Sequence, residues 1–389
     1  MFRRRLFTPG PTPVPEQVML AMAQPMIHHR HPEFIELFAR VNENLKYLFQ
    51  TKQDVYTLTS SGTGAMETAV CSLLSAHDEV LFINAGKFGE RWGEICKAYA
   101  VQTAEIKVEW GHAVDPEEIK KQLLQRRGIK AVFVTHSETS TGVAQDVKEI
   151  AKIVKSSSDA ILVVDGITSI GALEMRMDDW GIDVAVTGSQ KGLMIPPGLA
   201  FIALSDRAWK LGEQSTLPKY YFNLKKAKKA LTDHGTPWTP AVSLVIGLDL
   251  ALQMIRQEGI ENVWTRHSRL AGAVRKGCEA LGLRLLASSP SNALTAVWIP
   301  QEIDGKKFSQ KLKDEYGITV AGGQGDLKGK IVRISHLGYY DELDIIAVVS
   351  GLEMALQDCG LEFETGAGVR AVQQSFQVPP ISLSSSVNR

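Results

Sequence analysis

Three short stretches carry side chains whose placement calls for a chemical reason. Lys191 lies in Gly188-Ser189-Gln190-Lys191-Gly192, directly behind the apolar run 183–187. An amine set among small residues at a strand end loses hydration, which favours its neutral, nucleophilic form. Alone, the pattern favours a lysine that snorkels to the surface. Asp165 closes the run Ile161-Leu162-Val163-Val164. A carboxylate there needs a cationic partner, because an unpaired buried charge is costly. A pyridinium nitrogen would serve, and so would a structural arginine or a helix cap. Ser60-Ser61-Gly62-Thr63-Gly64 follows another apolar run. Its small residues let backbone N–H groups approach an anion at the start of a helix, and Ser61 and Thr63 add hydroxyls. Ordinary turn and cap chemistry uses the same residues. The spacing is neither that of a nucleotide triphosphate loop nor that of a dinucleotide fingerprint. Together, a phosphate cradle, a strand-end acid and a strand-end lysine are what pyridoxal 5'-phosphate (PLP) requires. The phosphate is anchored, the ring nitrogen is kept protonated so that the ring accepts carbanion electrons, and the lysine joins the cofactor as a Schiff base.

For these residues to meet, their strand ends must share one edge of a sheet. The hydrophobic pattern provides this. Strands are predicted at 55–58, 80–83, 103–108, 131–135, 161–164, 183–187 and 199–203. Helices are predicted between them at 63–75, 87–99, 115–126 and 146–155. Strands alternating with amphipathic helices give an α/β fold with a mostly parallel sheet covered on both faces, whose ligands sit at the carboxyl ends of the strands. A helix at 33–49 precedes them and another at 241–257 follows. Beyond about Arg266 the pattern changes to helix 266–281, strands at 283–285, 294–298 and 331–335, and helices at 305–316 and 341–357. The chain therefore divides into an N-terminal arm over 1–15, a large domain over 16–260, a small α+β domain over 261–363 and a frayed tail over 364–389.

Bulk properties narrow the function classes. Forty-three basic and 43 acidic residues leave no net charge to attract nucleic acid or an anionic membrane. The 44% hydrophobic and 22% charged content is that of a globular protein. No apolar run is long enough to span a membrane. Cys71, Cys96, Cys278 and Cys359 form no C-x-x-C pair, which fits a reducing compartment and argues against a zinc site. The basic start Met1-Phe2-Arg3-Arg4-Arg5 has no apolar stretch behind it, so a cytoplasmic protein is expected. His28-His29-Arg30-His31 is dense in ring nitrogens but lacks helical ligand spacing, so it is read as a basic active-site loop and no metal is expected.

Four ordered motifs carry a family resemblance over nearly the whole chain. They are Ser61–Glu67, Thr135–Gly142, Val164–Gly171 and Gly188–Gly192 with Pro196-Pro197-Gly198. The sequence resembles the class V, fold-type I PLP enzymes, and most nearly the alanine–glyoxylate and serine–glyoxylate (serine–pyruvate) aminotransferases. The resemblance implies that Ser61, Gly62, Thr63 and Gln190 bind the phosphate, and that Phe88 stacks on the ring where the family often has Trp. It further implies that Thr139 bonds the ring hydroxyl, Asp165 the ring nitrogen, and that Ile167 packs on a ring face. Lys191 would be catalytic, and Arg333 would grip the substrate carboxylate with a guanidinium fork. Across a homodimer with shared sites, Thr236 in His234-Gly235-Thr236-Pro237 would reach the partner's phosphate; a tyrosine like that of the animal enzymes is absent there. The implied reaction is ping-pong transamination between alanine or serine and glyoxylate or another 2-oxo acid.

Rival readings share parts of this pattern. A cysteine desulfurase needs a loop cysteine, and the segment 321–330 before Arg333 has none. An aminotransferase for a phosphonate, phosphoserine or ureidoglycine would keep the same cofactor residues. An accessory subunit that retains PLP would keep them as well. A non-enzymatic phosphate-binding α/β protein would be colourless.

Overall fold

The computed structural model of the chain describes residues 3–377. Seven strands form the large sheet, in spatial order Val55–Ser60, Gly198–Leu204, Val184–Gly188, Ile161–Asp165, Ile129–Thr135, Glu79–Asn84 and Gln102–Lys107. All seven match strands expected from the sequence, the edge strand Gln102–Lys107 as an alternating run with one exposed face. Alternation along each strand decides which core it feeds. Val132, Val134, Leu162 and Val164 point to one cluster with Phe34, Phe38 and Leu248. Ala131, Phe133, Ile161 and Val163 point to the other, with Trp92, Met66 and Leu73. Both faces of the inner strands are buried, so those strands read as continuous hydrophobic runs.

Gly198–Leu204 runs antiparallel to both its neighbours, while the remaining pairs are parallel. The loop after Gly188 is too short for a helical crossover, so the chain turns directly back. As a result Gly198 lies opposite Ser60, and Ala200 opposite Gly188. The start of this strand therefore stands at the same sheet edge as the carboxyl ends of the others.

The small sheet has the order Arg5–Phe7, Ile318–Gly322, Ile331–Ser335 and Leu294–Trp298. Four details differ from the sequence expectation. The N-terminal arm is not merely extended: Arg5–Phe7 pairs in parallel with Ile318–Gly322, and Phe7 is buried in the small core. Nor is the segment after Glu364 all frayed, because Ala367–Gln377 is a helix. Its polar composition hides a stripe in which Val372 is buried and Phe376 packs on the same core. The buried Glu353 carboxylate accepts from the backbone N–H groups of Gly366, Gly368 (3.1 Å) and Val369 (3.3 Å) at the helix start. An anion there offsets the positive end of the helix. Residues 378–389 of the expected tail lie outside the described residues. The expected strand 283–285 is reduced to a single bridge between Leu285 and Val297. The expected helix 266–281 is the larger, C-terminal part of a longer one, Ile260–Ala280. Among the described residues no helix is long and apolar enough to cross a membrane.

Candidate active site

A cavity of about 270 Å³ opens at the carboxyl edge of the large sheet. Ser61, Gly62, Thr63, Phe88, Asp165, Ile167, Gln190 and Lys191 all line it. Residues up to 130 positions apart in sequence thus meet in one place, because parallel strands deliver their carboxyl ends to one edge. Ser61 is the N-cap of the helix Gly62–Leu73, so the N–H groups of that helix start face the cavity. Gly62 is needed for close approach: a Cβ there would stand 2.8 Å from Ile167 Cγ1.

Asp165 ends its strand with the carboxylate buried. Its Oδ1 accepts from Ile167 N at 2.8 Å, and its Oδ2 from Thr135 Oγ1 at 3.5 Å. Burial raises its pKa from 3.8 to about 7, against the Ile167 N–H and the nearby Arg91 and Lys191 charges, which lower it. Lys191 lies in the loop after Val184–Gly188. Its Nζ donates to the carbonyl of Pro9, and Thr12 Oγ1 donates to its own carbonyl at 3.1 Å. The N-terminal arm therefore clamps the lysine loop, and Gly10 and Pro11 complete the cavity wall. Burial lowers the Lys191 pKa from 10.5 to about 8, with Arg333 and Arg91 adding to the effect and Asp165 opposing it.

These two groups make stability without cofactor depend on pH in a defined way. Between pH 3.8 and about 7, folded Asp165 holds a proton that the unfolded chain has released, so its contribution falls as pH rises. Between about 8 and 10.5, folded Lys191 has lost a proton that the unfolded chain retains, so its contribution rises with pH. The cofactor-free protein is expected to show its lowest contribution from the pair at pH 7–8. Subtracting the thermal unfolding profile of an Asp165→Asn/Lys191→Met variant isolates it. A flat difference would remove the assignment of both groups as buried and titrating.

Arg333 and Thr139 lie beside the cavity and not in its wall. Arg333 is 7% exposed on the strand Ile331–Ser335, opposite Ala296 and Ala321. Its Nε donates to Gly322 O at 2.9 Å and its Nη1 to Thr139 O at 2.7 Å. Among the described residues its Nη2 makes no hydrogen bond. Thr236 is outside the site of its own chain; its Oγ1 donates to Trp238 O at 2.6 Å beside Tyr221 and Pro237. His28, Arg30 and His31 are exposed and do not line the cavity.

Two residues with evident roles went unassigned in the sequence. Arg91 lines the cavity and donates from Nη1 to Thr63 Oγ1 at 3.3 Å. Glu138 is fully buried, accepting from Phe88 N (3.1 Å) and Gly89 N (2.9 Å) on one oxygen and from Ser140 N (3.1 Å) and Oγ (2.5 Å) on the other. Burial pushes its pKa up and these four donors oppose that rise. The carboxylate pins the first turn of Lys87–Ala98, a helix without a side-chain cap, and so fixes Phe88 against the cavity. An acid inside the otherwise neutral run Ser137–Gly142 was the one available signal.

The family model for class-V aminotransferases matches residues 5–346. The chain is a class-V aminotransferase. A Synechococcus protein named soluble hydrogenase, small subunit, is 45% identical to it, over 95% of this chain and 97% of the relative. The serine–glyoxylate aminotransferase of Hyphomicrobium methylovorum is 37% identical over 95% and 94%. Among solved structures, the ureidoglycine–glyoxylate aminotransferase of Bacillus subtilis superposes with a TM-score of 0.91 at 30% identity, covering 97% of this chain and 99% of that one. The aminotransferase fold is thus the type I PLP fold, and membership implies PLP as cofactor.

The residues of this aminotransferase fit that group. Gln190 Oε1 is buried in the cavity wall without a partner, so the amide is free to turn toward a ligand. Burial raises the pKa of Asp165, and a protonated ring nitrogen beside it would favour the carboxylate. Among the described residues no group of three or more His, Cys, Asp or Glu is arranged to hold a metal.

Proposed function

We propose that this aminotransferase moves an amino group between a small amino acid, alanine or serine, and glyoxylate or another 2-oxo acid, with PLP held at Lys191. The observation that carries the reading is the shared cavity: a desolvated amine, a buried acid and a helix start converge on one space of about 270 Å³. PLP, when bound, supplies an aldehyde for amines and a ring that accepts the electrons of a broken Cα–H bond. The chain does the rest. Ser61, Gly62, Thr63 and Gln190 hold the phosphate, and Phe88 and Ile167 hold the two ring faces. Asp165 faces the ring nitrogen, and Thr139, beside the cavity, would reach the ring hydroxyl. Lys191 carries the proton away from the substrate Cα and delivers it on the other side of the same bond system, as base and then as acid. An amine with a pKa of about 8 exchanges that proton readily near neutral pH.

Glyoxylate is supported as acceptor because relatives on different donors share it by name. A small donor is supported by the serine named for one relative. Adding single amino acids to the purified yellow protein and following conversion to the pyridoxamine form tests this. Alanine and serine are expected to convert it. Conversion by aminoethylphosphonate, phosphoserine or ureidoglycine alone would replace the substrate assignment and leave the cofactor assignment standing. A coloured chain that converts with no amino acid would favour the accessory-subunit reading that one relative's name suggests.

Arg333 is the substrate carboxylate clamp in this proposal. Two guanidinium edges are committed to carbonyls, so the substrate meets Nη2 and the second hydrogen of Nη1. Arg333→Lys loses that planar pair and is expected to raise KM for both substrates by roughly 10–100-fold, with PLP affinity unchanged. An unchanged affinity for a dicarboxylate or keto-acid inhibitor would dismiss the role. We further propose a homodimer in the cytoplasm, in which Thr236 serves the second copy's phosphate. The exposed stack of Tyr220, Trp238 and Tyr221 beside Thr236, and four unpaired cysteines, support it. A monomer by sedimentation with full activity would contradict the shared site.

A further inference from the structure

We infer that Arg91 is the counter-ion of the cofactor phosphate, the one full positive charge among the described residues at that end of the cavity. The inference rests on the PLP reading above. The cradle of Ser61, Gly62, Thr63 and Gln190 offers hydroxyls, an amide and backbone N–H groups, and no formal charge. A phosphate monoester carries about −1.5 to −2 at neutral pH. The start of the helix Gly62–Leu73 compensates about half a charge. Lys191 is assigned to the aldehyde end and cannot serve both ends. One cation is missing from the cradle, and Arg91 stands where it is needed.

The geometry supports this in three ways. Arg91 lines the cavity, and Nη1 donates to Thr63 Oγ1 at 3.3 Å, so the guanidinium adjoins the cradle hydroxyl directly. Among the described residues that is the only hydrogen bond of the side chain, and no carboxylate pairs with it. Four of its five N–H donors remain for an anion. The guanidinium also lies 4.8 Å over the ring of Phe88, one helical turn before it on Lys87–Ala98. Glu138 pins that turn. Ring and guanidinium are thereby set at a fixed spacing, one toward the pyridine ring and the other toward the phosphate. Arg333, by contrast, lies beside the cavity against Thr139 and does not adjoin the cradle, which leaves it for the substrate carboxylate.

The test compares PLP with pyridoxal, which lacks the phosphate, on cofactor-free protein. Dissociation constants are read from the absorbance and from quenching of tryptophan fluorescence. Arg91→Gln is expected to weaken PLP by on the order of 10–100-fold and pyridoxal by less than about twofold. Arg91→Lys should recover part of the PLP loss by restoring the charge. In the wild type, millimolar inorganic phosphate should compete with PLP, and in Arg91→Gln that competition should fade. Equal weakening of PLP and pyridoxal would overturn the inference, since it would mean that Phe88 or its helix had moved. Unchanged PLP affinity with a raised substrate KM would overturn it as well, making Arg91 a substrate arginine. A wild type that binds neither PLP nor pyridoxal, with no reducible label on Lys191, would instead defeat the underlying reading.

Discussion

Replacing Lys191 by alanine should reduce turnover by about 10⁴-fold, the upper end of what one acid–base group contributes. Among the described residues no other amine or imidazole lines the cavity to take its place. Cofactor should still bind, because the phosphate cradle, Phe88 and Asp165 are untouched, but borohydride reduction should then fix no label on the chain. The fold should survive. The lysine amine is desolvated, with its pKa lowered to about 8, so its removal relieves an unfavourable burial and leaves a gap open to the existing cavity. A small added amine such as methylamine should restore part of the proton transfer, and the restored rate should rise with the free-base concentration. Full activity in the alanine variant, or peptide mapping that finds the label elsewhere, would end the assignment.

Replacing Asp165 by asparagine should lower kcat by roughly 10²–10³-fold, the usual cost of removing one preorganised electrostatic partner. The amide can still accept from Ile167 N, now 2.8 Å from Oδ1, so the strand end keeps its shape. What it cannot do is hold a proton on the ring nitrogen, because its NH₂ would donate to that nitrogen in the unprotonated form. The loss should fall on kcat more than on KM, since Asp165 does not face the substrate carboxylate. A cofactor analogue methylated on the ring nitrogen keeps the charge without the proton, and it should recover turnover in the asparagine variant while gaining little in the wild type. Should the analogue fail while the variant binds PLP normally, Asp165 acts as a scaffold and not as the ring's counter-charge. The raised pKa of about 7 in the cofactor-free chain fits the stronger role, since a carboxyl without its cation tends to keep its proton.

Periodicity made the large sheet legible because strands buried on both faces must be apolar throughout. Val163 and Val164 feed opposite cores, and both must be hydrophobic whatever packs on them. Strand ends were legible for a related reason: Asp165 and Lys191 break the apolar runs, and a parallel sheet brings such breaks to one edge. The stretch Ala367–Gln377 was misread because its helix buries little more than Val372, and its start depends on a carboxylate from Glu353. That partner is distant in sequence and leaves no local trace.

The sequence by itself determined the α/β order of elements and the seven strands of the large sheet, and it set Ser61–Thr63, Asp165 and Lys191 at strand ends, because burial and strand termination are written locally. Tertiary structure alone decided that the arm at Pro9 and Gly10 closes over Lys191, that Arg5–Phe7 completes the small sheet, and that Glu138 fixes the helix carrying Phe88 and Arg91. Each of these is a contact between segments far apart in the chain. Whether two such segments touch depends on how whole helices and sheets dock, and no hydrophobic period records that.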